Sequence, residues 1–305
     1  MDASRRTTRW SAAVALLFGL LFVPAQGWGQ QYSDHSDFLH FNNPYVVPTE
    51  SNPASTGLIS AVPAGGASLP TGSSAISSNA DLEVTWRTLP KKFLLDQKDM
   101  WLFPGELAKG RHWLPTILLV GGTAVLITQD PTMERAVRKS GAFGTFNGVL
   151  SSAHTDAIMA GVPAAWYIGS LLTKNKYGQS TALLAGEAVA NDAVLMLALK
   201  AATWRARPSQ FPPNGPYNNT FWNAHNSFFG EGTSFPSGHA MMSFSIATVF
   251  SRRYPKHKWV PILAYTVASA ITFSRITTAS HFPSDAFLGA GLGFVVARFN
   301  VLHGG

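Results

Sequence analysis

Six apolar stretches follow Arg111, and they leave few folds open to this chain of 305 residues. They run from Trp113 to Thr128, Ala157 to Leu172, Thr181 to Leu199, Ala240 to Phe250, Trp259 to Phe273 and Ala286 to Leu302, and four of them hold no charged residue. Each is long for a strand, lacks the alternation of a half-buried sheet, and is bounded by polar residues, Gly or Pro. The expected class is all-α, with a six-helix core bundle. Charged residues make up 13% of the chain, against about 25% in ordinary soluble domains. Such helices are buried on all sides or lie in a membrane. Most of the stretches run about 16 residues, under the ~20 that a comfortable span needs, so membrane insertion stays open.

Charge and cysteine content narrow the chemistry. From residue 111 onward there are 15 Lys and Arg against 7 Asp and Glu, a balance that suits an anionic partner. Nucleic acid, anionic lipid and phosphate esters all fit on that ground alone. The absence of cysteine excludes disulfides, thiolate metal sites and a cysteine nucleophile.

The N-terminal part reads as address and connector. Residues 1–27 combine three arginines, a thirteen-residue apolar run (SAAVALLFGLLFV) and small residues after it, the order of a secretory signal peptide. Residues 28–85 are rich in Ser, Pro, Gly and Ala and are expected to be a disordered linker. The helical domain is expected over residues 86–305. It opens on WRTLPKKFLLDQKDMWLFPGEL, an amphipathic segment with Pro104-Gly105 as an expected stop.

Three motifs concentrate charge where the chain is otherwise apolar. In LKAATWRARPSQ, Lys200 and Arg207 are seven apart, which on a helix ending at Pro208 puts two cations on nearly one face. In GTSFPSGHAMM, Ser237 is an expected N-cap, and Gly238 allows close approach of an anion to the N–H groups of the helix start. His239 sits beside that turn. In SRITTASHFPSD, Arg275 adds a third cation, while His281 and Asp285 are four apart, so that the carboxylate can accept the imidazole N–H and leave the other nitrogen free. Alternating up-and-down helices would bring all of these to one end of a bundle. His225 and Glu231 read as solvated loop residues, His154 and Asp156 as helix caps, and Glu187, Asn191 and Asp192 as an inward polar seam or a partner for a motif arginine.

Taken together, K-x6-R-P, P-S-G-H and S-R-x5-H-x3-D resemble the type-2 phosphatidic acid phosphatases and their relatives, the bacterial class A acid phosphatases and vanadium-dependent haloperoxidases. The resemblance covers the core from about Arg111 to the C-terminus. It implies a phosphatase working without a metal cofactor through a phosphohistidine: His281 as nucleophile, Asp285 orienting it, and His239 as general acid and then base. Lys200, Arg207, Ser237, Gly238 and Arg275 would hold the phosphate, and vanadate could occupy the same place. The expected partner is a phosphorylated lipid or small phosphate ester, with membrane association and no nucleic acid. The alternatives are a vanadate-dependent haloperoxidase and a non-catalytic phosphate or anionic-lipid binding protein.

Location poses a conflict. Arg252, Arg253, Lys256 and Lys258 between the fourth and fifth stretches would put that loop in the cytoplasm and the motifs outside. A cleaved signal followed by six spans would give the reverse. The expectation is an exported, periplasmic or membrane-associated protein with its site outside the cytoplasm.

Overall fold

Helix termini, more than helix interiors, decide where the motifs go. The computed structural model describes residues 83–110, 112–224 and 232–302. The expected signal peptide, the linker up to residue 82, and the loop residues His225 and Glu231 lie outside the described residues. The helices are α1 (Leu89–Ala108), α2 (Trp113–Ser140), α3 (Gly144–Val149), α4 (Ser152–Leu172), α5 (Lys176–Thr203), α6 (Gly238–Arg253), α7 (Trp259–Thr277) and α8 (Pro283–Val295). A π-helical turn, Val296–Val301, extends α8. The class is all-α, and each of the six apolar stretches falls on one helix, the last on α8 with its π turn.

Two boundaries differ from expectation. Pro104 does not stop α1, which runs on to Ala108 with the proline inside it. The end of the expected linker is docked: Val84 is buried and donates its N–H to Ser180 Oγ at 2.8 Å.

α6 is the central helix, packed against α5, α7 and α8. Nearly all of its residues from Ala240 to Phe250 are buried, so its hydroxyls need internal partners. Thr248 donates to Phe244 O at 2.7 Å in its own helix, and Ser245 donates across to Gly293 O at 2.7 Å. Leu184, Met241, Val249, Val296 and Val301 form the apolar core around it. α8 lies close enough on α6 that a Cβ on Gly293 would stand 2.0 Å from the Met241 carbonyl oxygen. Because that obstacle is backbone, Gly293→Ala must push the helices apart. We expect a loss of at least the ~1–3 kcal/mol typical of overpacking, read as a lower melting temperature of the purified protein.

Of the polar residues inside α5, Glu187 and Asn191 form an inward seam with α1, while Asp192 is buried against Ser245 of α6. Lys92 Nζ lies 2.8 Å from Asp96 and 3.5 Å from Glu187, and Gln97 donates to Asn191 at 2.7 Å. This seam ties α1 to α5.

α2, α5 and α7 are long and apolar enough to cross a membrane. α2 exposes Trp113, Leu114, Ile117, Leu118 and Val125, and α7 exposes Trp259, Ile262 and Leu263. At the far end of α6, Arg253 is buried, its guanidinium 3.8 Å from the Tyr177 ring and its Nε donating to Thr181 at 3.1 Å. It is therefore an internal tie and not one of the surface charges that could orient the chain.

Candidate active site

The C-terminal ends of α5 and α7 meet the N-terminal ends of α6 and α8, as alternating packing requires. α5 ends earlier than the motif suggested. Trp204 takes a left-handed backbone (φ 41°), closing the helix after Thr203, so Arg207 is not one helical face away from Lys200. It stands on an extended segment (φ −79°, ψ 151°) just before Pro208. That segment pairs with the approach to the second motif: Ser234 N–H donates to Arg205 O at 2.7 Å, and Ala206 bridges to Thr233. Lys200 Nζ reaches the same strand-like piece, donating to Thr233 O at 2.5 Å. A further backbone bond, Ser237 N–H to Asp285 O at 3.0 Å, joins the second motif to the third.

Ser237 is the N-cap of α6, its hydroxyl accepting from Ala240 N–H. The first N–H groups of a helix lack intrahelical acceptors and carry the positive end of its dipole. Gly238 has a packing reason that the sequence did not show: a Cβ there would lie 2.4 Å from the Met196 sulfur of α5.

His281 is almost fully buried, and its Nδ1 lies 2.6 Å from Ser234 O. A carbonyl oxygen only accepts, so Nδ1 carries the proton and Nε2 keeps its lone pair. Asp285 was expected to take this bond; its Oδ2 is 3.8 Å from Nδ1, an ion-pair distance, and instead accepts Phe282 N–H at 2.8 Å at the start of α8. Burial lowers the His281 pKa to about 4, with Lys200 and Arg207 adding to the effect and Asp285 opposing it. The ring is thus neutral across the physiological range.

His239 is pushed down from its ordinary value by burial first, then by Arg275, while Asp156 of α4 pulls it up. Asp156 Oδ1 stands 3.1 Å from His239 Nε2, so it is not the cap residue it resembled. Ser151 caps α4. Arg275 is buried and donates to Ser152 Oγ at 2.7 Å, to Ser274 Oγ and to the Leu150 carbonyl. Those bonds fasten the start of α4 beside the cluster.

Besides Asp156, read from the sequence as a cap, two charged residues here have no place in the sequence reading. Arg205, inside the first motif, donates to Asp285 Oδ1 at 2.6 Å and to Asp130 Oδ2 of α2 at 2.7 Å. Burial would raise Asp285; Arg205 and His281 outweigh it and hold its carboxyl below the ordinary range. The available signal for Asp130 was its spacing from Glu134 and Arg138, three of the five charges that α2 carries near its C-terminal end, at intervals of four that share one face.

Among known proteins, the family described as the PAP2 superfamily matches residues 181–302. The matched stretch takes in all three motifs and begins within α5, so α2 and α4 lie outside it, whereas the resemblance in the sequence runs from about Arg111. Over 66 residues the chain is 41% identical to lipid A 1-phosphatase of Porphyromonas gingivalis, a match covering 21% of this chain and 15% of that protein's length. A solved structure, the first transmembrane PAP2 type phosphatidylglycerolphosphate phosphatase from Bacillus subtilis, aligns with TM-score 0.40 and 22% identity, over 59% of this chain and 91% of that one.

Proposed function

We propose that this protein is a phosphatase that cleaves phosphomonoesters or pyrophosphates of lipids through a phosphohistidine at His281. The observation that carries the reading is the His281 ring: Nδ1–H is given to Ser234 O at 2.6 Å, leaving Nε2 as a neutral nucleophile acted on by Lys200 and Arg207. Nε2 attacks phosphorus in line, forming an N–P bond as the P–O bond to the leaving group breaks. His239 donates its proton to the departing oxygen. A phosphate dianion near Arg207 and Arg275 offsets their repulsion of a charged His239, which favours the protonated acid once substrate is bound. Water then attacks the phosphohistidine, giving its proton to His239 and releasing inorganic phosphate. Lys200, Arg207, Arg275 and the N-terminus of α6 neutralise the equatorial oxygens, so the reaction needs no metal ion.

A lipid substrate is supported by the apolar exterior of α2 and α7 and by the likeness to a lipid A phosphatase. Arg252, Lys256 and Lys258 are exposed at the end of α6 remote from the site. By the positive-inside tendency they face the cytoplasm and the site faces outward.

The test is phosphate release by the purified full chain in detergent. Phosphatidate, phosphatidylglycerophosphate, undecaprenyl pyrophosphate and a soluble aryl phosphate would be compared before and after exhaustive chelation. Turnover is expected to favour a lipid and to survive chelation. Halide oxidation with vanadate and peroxide but no phosphate release, or phosphate binding without turnover, would overturn the reading.

A further inference from the structure

We propose that α2, outside the stretch matched by the family model, belongs to the working site: Asp130 is a positioning residue that acts through Arg205 on Asp285 and so on His281. This rests on the phosphatase reading above. Four hydrogen bonds commit the guanidinium of Arg205 to one place. Its NH2 group meets Asp130 Oδ2 at 2.7 Å, its NH1 group meets Asp285 Oδ1 at 2.6 Å and Ser284 Oγ at 2.7 Å, and its Nε meets Thr220 Oγ1 at 3.0 Å. The Phe282 and Phe221 rings lie 4.2 and 4.5 Å from its central carbon. Water has no access, as Arg205, Asp130, Ser284 and Asp285 are all buried.

Asp130 also holds the start of α8 directly. Its Oδ1 accepts Ser284 N–H at 3.1 Å and its Oδ2 accepts the Ser284 hydroxyl at 2.5 Å. Asp130 therefore grips both the arginine and the helix end that carries Asp285 and His281. One further turn pair along α2, Arg138 donates to Pro208 O at 3.0 Å and Phe211 O at 2.8 Å, fixing the segment just after Arg207. A helix outside the three motifs thus sets the relative position of the first and third.

A buried arginine between two carboxylates can also be a purely structural tie, and breaking such a tie destabilises a fold. Positioning makes a different demand, because a displacement of about 1 Å at reacting groups costs about a hundredfold in rate. Asp130→Asn keeps the shape and one acceptor while removing the charge. On an aryl phosphate, with rates expressed per folded enzyme, kcat is expected to fall about ten- to a hundredfold while KM stays within about twofold. In an Asp285→Asn background the same change should cost much less, because the group it acts through is already gone. A lower melting temperature with unchanged kcat, or equal losses in both backgrounds, would overturn the proposal. Should Asp130→Asn not accumulate folded, Ser284→Ala removes the hydroxyl shared by Asp130 and Arg205, and the same criteria apply to it. A wild-type protein without phosphatase activity would instead remove the functional reading on which the proposal stands.

Discussion

His281→Ala is expected to lose turnover by a thousandfold or more on every phosphate ester while remaining folded. The substitution removes the attacking atom, and no other group in the site replaces it. Its structural cost is the unmet Ser234 carbonyl, about 1–3 kcal/mol, while the backbone bonds among the motifs and the Arg205 ties to Asp285 and Asp130 remain. Because burial lowers the His281 pKa to about 4, the wild-type ring stays neutral down to that range. The acid limb of kcat/KM from this group should accordingly fall near pH 4 rather than near the ordinary histidine value of about 6.5. Steady-state rates with melting curves on both proteins check the claim. Retention of a tenth of wild-type turnover by a folded variant would end the assignment of His281 as nucleophile.

His239→Ala should separate substrates that His281→Ala treats alike. An alkyl leaving group needs a proton, and an activated phenolate does not, so the loss in kcat/KM, which reports the phosphorylation step, is expected to reach about a hundred- to ten-thousandfold on alkyl phosphates and much less on aryl ones. Hydrolysis of the intermediate should also slow, because the attacking water loses its base. Rapid mixing with an activated aryl phosphate should then show a burst of phenol close to the enzyme concentration, followed by slow turnover. His281→Ala should show none. The structure adds a partner that the sequence did not suggest, Asp156 at 3.1 Å, whose charge favours the protonated ring. Equal losses on both substrate types, with no burst, would assign His239 a different role.

The sequence made the helices legible because uncharged runs leave little else to form, and it made the site legible because charge is rare in this chain. What it concealed falls under a few physical causes. The acceptor for His281 is a backbone carbonyl at Ser234, and a carbonyl has no residue signature. Asp285 was read through its spacing from His281, but the first turn of α8 uses it as a cap for Phe282 N–H, which sets its distance from the imidazole. The end of α5 depends on the left-handed conformation of Trp204, a residue type that does not advertise it, so Arg207 was placed on the helix. Asp130 and Asp156 come from helices 75 and 83 residues before their partners Arg205 and His239. Only the packed fold brings such pairs together. Pro104 failed as a stop because a proline removes one N–H from the helical ladder without by itself ending the helix, and α1 runs on to Ala108.

The central claim is a covalent phosphate on His281, and trapping it is the most direct test. The His239→Ala variant, expected to accumulate the intermediate, would be mixed with a labelled aryl phosphate and quenched in alkali, which preserves the acid-labile N–P bond. Peptide mapping follows. The account predicts close to one label per enzyme, located on His281 and absent when His281→Ala is added. Steady release of phosphate with no trapped label, or a label on another residue, would contradict it.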